Sequence, residues 1–265
     1  MPAALNPTGS VSSPSAQPAV RRIGPDDLHW ALQSGWQDFV AKRGDVLFVA
    51  LLYPAIGLIT AVIALKSSLL PFFFPLAAGL SILGPIVASG FYELARRREQ
   101  NEPAGWSHFL DPLLSDRRNG IVGLAAMMVG LFAIWLAVAW ALYAATLGQL
   151  EPVGAAGFVS LLFTTADGWM LIIFGNAAGA LIAAATLVLT LVSAPMLVDR
   201  PVSVDLAVRT SLRAAAMNPG ATARWGATVA ALLLLGSIPV FIGLAIVLPV
   251  LGYATWHLYT RIVER

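Results

Sequence analysis

The chain has 265 residues, of which 58% are hydrophobic and only 11% are charged, and its mean hydropathy is +0.79. These values lie outside the range of ordinary soluble domains, so most of the chain is expected to lie in lipid. The absence of cysteine excludes disulfides, cysteine-ligated zinc, iron–sulfur clusters and thiol catalysis. We interpret the net charge of +2 as a membrane-orientation signal and expect no nucleic-acid partner.

The start of the chain is rich in proline, serine and alanine and contains no sustained apolar stretch. Residues 1–25 are therefore predicted to form a disordered cytoplasmic tail, and they cannot supply the apolar core of a signal peptide. Residues 26–265 are predicted to form a single membrane domain.

Apolar residues recur with helical spacing in residues 28–40, and polar residues fill the opposite face. This pattern predicts an amphipathic helix at the membrane interface, with Asp26 or Asp27 as its N-cap. A similar stripe occupies residues 204–215, and a shorter one occupies residues 106–113. We therefore expect three interfacial segments.

The apolar runs are long enough to cross a membrane, because a hydrocarbon core of about 30 Å needs roughly 20 helical residues. The final run, residues 225–259, has no charged residue and would make a helix of roughly 50 Å. It is predicted to fold back at Gly236, Ser237 and Pro239. The predicted fold is an all-α bundle of six transmembrane helices, at about residues 46–65, 69–95, 121–147, 169–198, 225–238 and 239–259.

The basic residues agree with this topology, because six spans place both termini on one side of the membrane. Only Lys66 falls on the other side. This asymmetry predicts that both termini are cytoplasmic. The residues on the predicted cytoplasmic side are Arg21, Arg22, Lys42, Arg43, Arg96, Arg97, Arg98, Arg117, Arg118, Arg200, Arg209, Arg213, Arg224, Arg261 and Arg265.

On the predicted outer side, residues 157–169 ("GFVSLLFTTADGW") are apolar but too short to span the membrane. This segment is predicted to lie in the interface or to re-enter the membrane.

Each even-numbered span has a proline in its cytoplasmic half and an ionisable group near its cytoplasmic end. One interpretation is that neighbouring helices simply satisfy the carbonyl groups that the prolines leave free. The other is that three kinked helices converge on a cytoplasm-facing cavity. The prolines are Pro85, Pro195 and Pro249, and the cavity would be lined by Glu93, Asp199 and His257.

The pattern also suggests three degenerate repeats, each an interfacial helix followed by a membrane hairpin. The turn glycines Gly44, Gly120 and Gly220 would begin the hairpins, although their spacings are unequal.

Few residues are suited to chemistry. His29, His108 and His257 are not at ligand spacing, so no metal and no haem site is expected, and no other cofactor motif is present. Within the spans, Gly175 and Gly179 predict close helix packing, with Asn176 hydrogen-bonding across the interface. Two further pairs at i, i+4, Glu93 with Arg97 and His257 with Arg261, are predicted to be anchors.

Four stretches resemble the bacterial integral membrane proteins catalogued as domain of unknown function family 2189. The resemblance covers about residues 22–264 and implies a six-span inner-membrane protein with no assigned activity. The stretches are "SGWQDF" (Ser34–Phe39), "LGPIVASGFYELARRRE" (Leu83–Glu99), "VSAPMLVDRPV" (Val192–Val202) and "GLAIVLPVLGYATWHLYTRIV" (Gly243–Val263).

We expect a non-enzymatic inner-membrane protein that acts as an accessory, assembly or organising component of a membrane complex. Its partners would be the lipid bilayer and either another membrane protein or a second copy of the chain. The alternative is a facilitator or permease for a small neutral or amphiphilic solute, with the kinked helices as its pathway. A third class, an intramembrane enzyme acting on lipid, would need Glu93, Asp199 and His257 together and facing lipid.

Overall fold

The computed structural model describes residues 18–41, 75–76, 82, 84–148, 154–239 and 241–265. This part of the chain is all-α, as predicted, and its one isolated bridge joins Val20 to Val263. The predicted span at 46–65 and most of the span at 69–95 before Gly84 lie outside the described residues, as do residues 1–17 and the turn glycine Gly44.

The helices follow one another with short connections. In chain order they are α1 (residues 25–41), α2 (Gly84–Glu99), α3 (Asp111–Leu114), α4 (Arg118–Ala145), α5 (Gly154–Thr164), α6 (Ala166–Thr190), α7 (Ser193–Asp199), α8 (Val204–Met217), α9 (Pro219–Ser237) and α10 (Leu244–Ile262). A 3₁₀ turn, Trp106–His108, precedes α3. Among the described residues, Arg118–Ala145 and Ala166–Asp199 are long and apolar enough to cross a membrane.

The segment at residues 18–24 is held against the end of the chain, so the predicted tail is wrong for these residues. The backbone N–H of Arg21 donates to the carbonyl of Ile262 at 2.7 Å. The Asn218 side chain accepts from Ile23 N at 2.9 Å and donates to Arg21 O at 3.0 Å. Composition could not show this order, because the partners lie about 200 residues away in the sequence.

Helix α1 begins at residue 25, two or three residues earlier than the predicted caps require. The Asp27 carboxylate is at the third helical position and accepts from Gly24 N at 2.9 Å. It therefore reaches back to the residue before the helix, as the acidic member of a capping box does, and neither Asp26 nor Asp27 is the N-cap.

The core lies where α2, α7 and α10 meet. Every residue of Ser193–Val198 is buried, and Trp256 and Tyr259 of α10 have no exposed surface. Gly252 allows α10 to approach α2, because a Cβ there would lie 2.7 Å from Cβ of Phe91. The densest packing is therefore at the end of the bundle that carries the ionisable residues.

Two sharp reversals join neighbouring helices. Helix α9 ends at Ser237 and α10 begins at Leu244, with Gly236 and Gly243 in close contact between them. Helix α5 has 11 residues, roughly 16 Å, which is too short to span a membrane. The hydroxyl of Thr165 then caps α6 by accepting from Gly168 N at 3.0 Å.

Candidate functional site

The clearest polar feature is Glu93 of α2, whose side chain is fully buried. Its carboxylate accepts hydrogen bonds from Arg96 at 2.6 Å, Arg97 at 3.0 Å and Arg117 at 3.0 Å. Arg96 and Arg97 reach it because residues three and four apart share one face of a helix. The hydrogen bond to Glu93 raises the pKa of the Arg96 guanidinium above its ordinary value, and so this arginine stays charged.

Two of these arginines connect Glu93 to other elements. Arg97 also donates to Asp111 of α3 at 2.7 Å. Arg117, just before α4, also donates to the carbonyl of Val198 in α7. The group of Glu93, Arg96, Arg97, Arg117 and Asp111, here called the Glu93 cluster, thus joins α2, α3, α4 and α7.

A second polar group surrounds Asp199 at the end of α7. The Tyr259 hydroxyl donates to its carboxylate at 2.8 Å, and Arg265 lies 3.7 Å from it. Arg265 also donates to Glu99 at 2.8 Å, and Glu99 accepts from the Trp256 indole at 3.2 Å. This group attaches α10 and the end of the chain to α2 and α7.

A third group contains His257, which lies on another face of α10. Its Nε2 is 2.8 Å from the Asp38 carboxylate of α1, and Arg98 contacts the same carboxylate at 3.2 Å. The predicted anchor between His257 and Arg261 is absent from the described contacts, because Arg261 stacks over Trp30 at 4.0 Å instead. The predicted anchor between Glu93 and Arg97 is present.

The predicted cluster of Glu93, Asp199 and His257 therefore does not form as one site among the described contacts. Glu93 and Asp199 are neighbours, because Arg117 binds both Glu93 and the carbonyl before Asp199. His257 is separate from this pair. Residues two apart on an α-helix point in nearly opposite directions, and Tyr259 occupies the face of α10 that meets Asp199.

The chemistry of these groups is that of ion pairing. Each of their carboxylates is engaged by at least one arginine. Within the described ranges there is no group of three His, Cys, Asp or Glu side chains that could hold a metal ion. A shallow surface depression of about 350 Å³ lies beside the second group, whose Glu99 and Arg265 are part of its lining.

A family model described as a predicted integral membrane protein, DUF2189, matches residues 73–199. This match confirms the predicted resemblance over that region, and its description agrees with the two apolar helices that are long enough to cross a membrane. The DUF2189 region contains the whole Glu93 cluster, whereas Asp38 and His257 lie outside it. No curated protein and no solved structure matches the chain.

The three prolines have different settings. Pro85 lies at the start of the described part of α2, and Pro249 lies inside an uninterrupted α10. Pro195, in the DUF2189 region, coincides with a break in the helix at Leu191–Val192. Of the predicted kinks, only that at Pro195 matches an interruption in the described helices.

The break before Pro195 is filled by Ser211 of α8. Its hydroxyl donates to Val188 O at 2.8 Å and accepts from Val192 N at 3.1 Å. These two backbone groups would bond to each other in a continuous helix, so the hydroxyl has been inserted into the helical ladder.

Replacing Ser211 with alanine is expected to destabilise the protein by about 2 kcal/mol, because two buried backbone groups lose their partner. Thermal unfolding in lipid nanodiscs would measure this. Ser237→Ala is the control, since that hydroxyl only donates to Leu233 O in its own helix. Equal stability of the two variants would show that α6 and α7 close into one helix without the hydroxyl.

The predicted packing motif in α6 is formed only in part. Gly179 faces Trp135 of α4, and a Cβ there would lie 3.2 Å from the indole ring. No described residue lies within 4 Å of such a Cβ at Gly175. Asn176 does not bond across an interface as predicted, because its amide donates to Ile172 O in its own helix at 2.8 Å.

Sequence reasoning missed most partners of the predicted residues. Four of these partners were not predicted. Asp38 binds His257, Arg117 binds Glu93 and Tyr259 binds Asp199. The fourth, Arg98, binds Asp38. Only spacing within a helix could have signalled a contact, and all four of these contacts join separate elements.

Proposed function

We propose that the chain is a six-span protein of the bacterial inner membrane with both termini in the cytoplasm. We propose further that it acts without catalysis, as an accessory, assembly or organising component of a membrane complex. The observation that carries this proposal is the Glu93 cluster, in which a fully buried carboxylate is neutralised by three arginines. Such a cluster holds helix ends in place and leaves no free group for proton transfer.

The surface of α6 supports the same function. Met170, Ile173, Phe174 and Leu181 are exposed by 44–73%, and their spacing places them on one face of the helix. A face of large apolar side chains on a membrane helix contacts lipid or packs against a neighbouring membrane protein.

The permease alternative needs a continuous polar path from the Glu93 and Asp199 end to Asn176. In the described part of the chain, Asn176 is exposed and bonded to its own helix, and Glu93 is enclosed by arginines. These contacts favour the accessory function. The enzyme alternative is less supported still, because His257 lies apart from Glu93.

The test is to extract the natively expressed protein into lipid nanodiscs and to identify by mass spectrometry whatever copurifies. We expect a second membrane protein at a fixed stoichiometry. The double variant Phe174→Ala/Leu181→Ala is expected to lower that stoichiometry several-fold, because it removes apolar contact area.

The matched control is Leu234→Ala/Leu235→Ala, which removes exposed side chains of α9 instead. If the chain is recovered alone or only with lipid, the accessory function is contradicted. Substitutions at Asp199 and His257 in a solute-uptake assay would then test the permease.

A further inference from the structure

The arginines of the predicted cytoplasmic side differ in whether a carboxylate of the protein neutralises them. The run Arg96–Arg98 is the densest basic stretch in the sequence, yet Glu93 and Asp38 neutralise it inside the protein. Four other arginines are exposed and have no hydrogen-bond or ion-pair partner in the described part of the chain. They are Arg22, Arg118, Arg213 and Arg224.

Three of these four lie near the junction of α8 and α9 in the backbone. At about 1.5 Å per residue, Arg213 and Arg224 lie within roughly 10 Å of Asn218 along their helices. Arg22 lies beside Asn218 as well, because the Asn218 side chain binds the backbone of the residues on either side of it. We call Arg22, Arg213, Arg224 and the turn at Asn218 the α8–α9 elbow.

The elbow keeps a net positive charge. The carboxylates of Asp205, Glu264 and Asp27 are engaged by Arg209, Arg21 and Arg261, respectively. When the negative charge of Asp26 in α1 is subtracted from the three arginines, the elbow keeps a net charge of +2. The Asn218 side chain hydrogen-bonds the backbone of residues 21 and 23. It therefore does not cap the N-terminus of α9, which is the positive end of the helix dipole.

We propose that the α8–α9 elbow binds the headgroups of anionic phospholipids in the cytoplasmic leaflet. Guanidinium groups bind phosphate in bidentate geometry, and basic residues at the membrane surface attract anionic lipid. Leu212, beside Arg213 and 44% exposed, adds an apolar contact for the acyl chains. The inference rests on the proposed topology, in which α9 enters the membrane from the cytoplasmic side at the elbow.

The test uses nanodiscs of equimolar phosphatidylcholine and phosphatidylglycerol, with native mass spectrometry of the lipids retained by the full chain. Wild-type protein is expected to retain phosphatidylglycerol preferentially. Arg213→Gln/Arg224→Gln is expected to lower that preference about fivefold for each cation removed. The control, Arg21→Gln/Arg209→Gln, removes the same charge from exposed arginines that already have a carboxylate partner.

A preference that survives in Arg213→Gln/Arg224→Gln overturns the proposal, and so does an equal loss in both double variants, which would reflect net charge alone. Topology is tested separately, because the chain has no native cysteine. Ser107→Cys should resist a membrane-impermeant maleimide in intact spheroplasts, and Thr164→Cys should react. The opposite labelling pattern would refute the proposed topology, whatever the lipid result.

Discussion

Replacing Glu93 with glutamine is expected to destabilise the protein by about 4 kcal/mol. Three guanidinium groups approach this carboxylate within 3.0 Å, and the side chain has no exposed surface. Glutamine keeps the shape but removes the charge, so the largely buried side chains of Arg96 and Arg117 lose their carboxylate partner, whereas Arg97 keeps Asp111. Thermal unfolding in lipid nanodiscs, followed by the fluorescence of the eight tryptophans, would measure the loss.

Glu102→Gln is the matched control. Glu102 also pairs with Arg97, but at 3.7 Å and with 44% of its side chain exposed. Exposed pairs contribute less than about 1 kcal/mol, so this variant should remain close to wild type. If Glu93→Gln were as stable as Glu102→Gln, the Glu93 cluster would have no structural role and the proposed function would lose its main support.

Replacing Gly35 with alanine is expected to weaken the attachment of α1 to α10. An added Cβ would lie 2.6 Å from Ala254 N and 2.8 Å from Val250 O, and these backbone atoms cannot move without displacing α10. We expect a cost of about 2 kcal/mol, as for overpacking of other tight contacts. Hydrogen exchange of residues 25–41 should accelerate, because α1 would open more often.

The control for this substitution is Gly220→Ala at the start of α9. A Cβ at Gly220 meets no described atom within 4 Å, so hydrogen exchange of α1 should be unchanged. Unchanged exchange in Gly35→Ala as well would mean that α1 and α10 can separate slightly at little cost. The hydrogen bond between Asp38 and His257 would then have to carry the attachment.

Both substitutions weaken a contact that fastens helices to one another. The Glu93 cluster fastens α2, α3, α4 and α7 to one another, and the Gly35 contact fastens α1 to α10. Together they connect six helices at the ionisable end of the bundle. In the function that we propose, such a base would position the exposed apolar face of α6 for a neighbour in the membrane.

The fold class followed from local properties of the sequence. Lipid demands that backbone polar groups be bonded within the segment, so long apolar runs such as those in α4 and α6 must be helical. The turn residues Gly236 and Ser237 were likewise interpretable, because turn chemistry acts over a few residues. The pair of Glu93 with Arg97 was predictable for the same reason, since one helical turn fixes its distance.

By itself, the sequence determined that this is a helical protein with apolar runs long enough to cross a membrane and without cysteine chemistry, because composition and helical period are properties of adjacent residues. Only the tertiary structure decided that Arg117 completes the Glu93 cluster, that Ser211 fills the break before Pro195, and that His257 faces Asp38 rather than Asp199. These contacts join residues 19 to 219 positions apart. Their geometry depends on how whole helices pack, which no local pattern encodes.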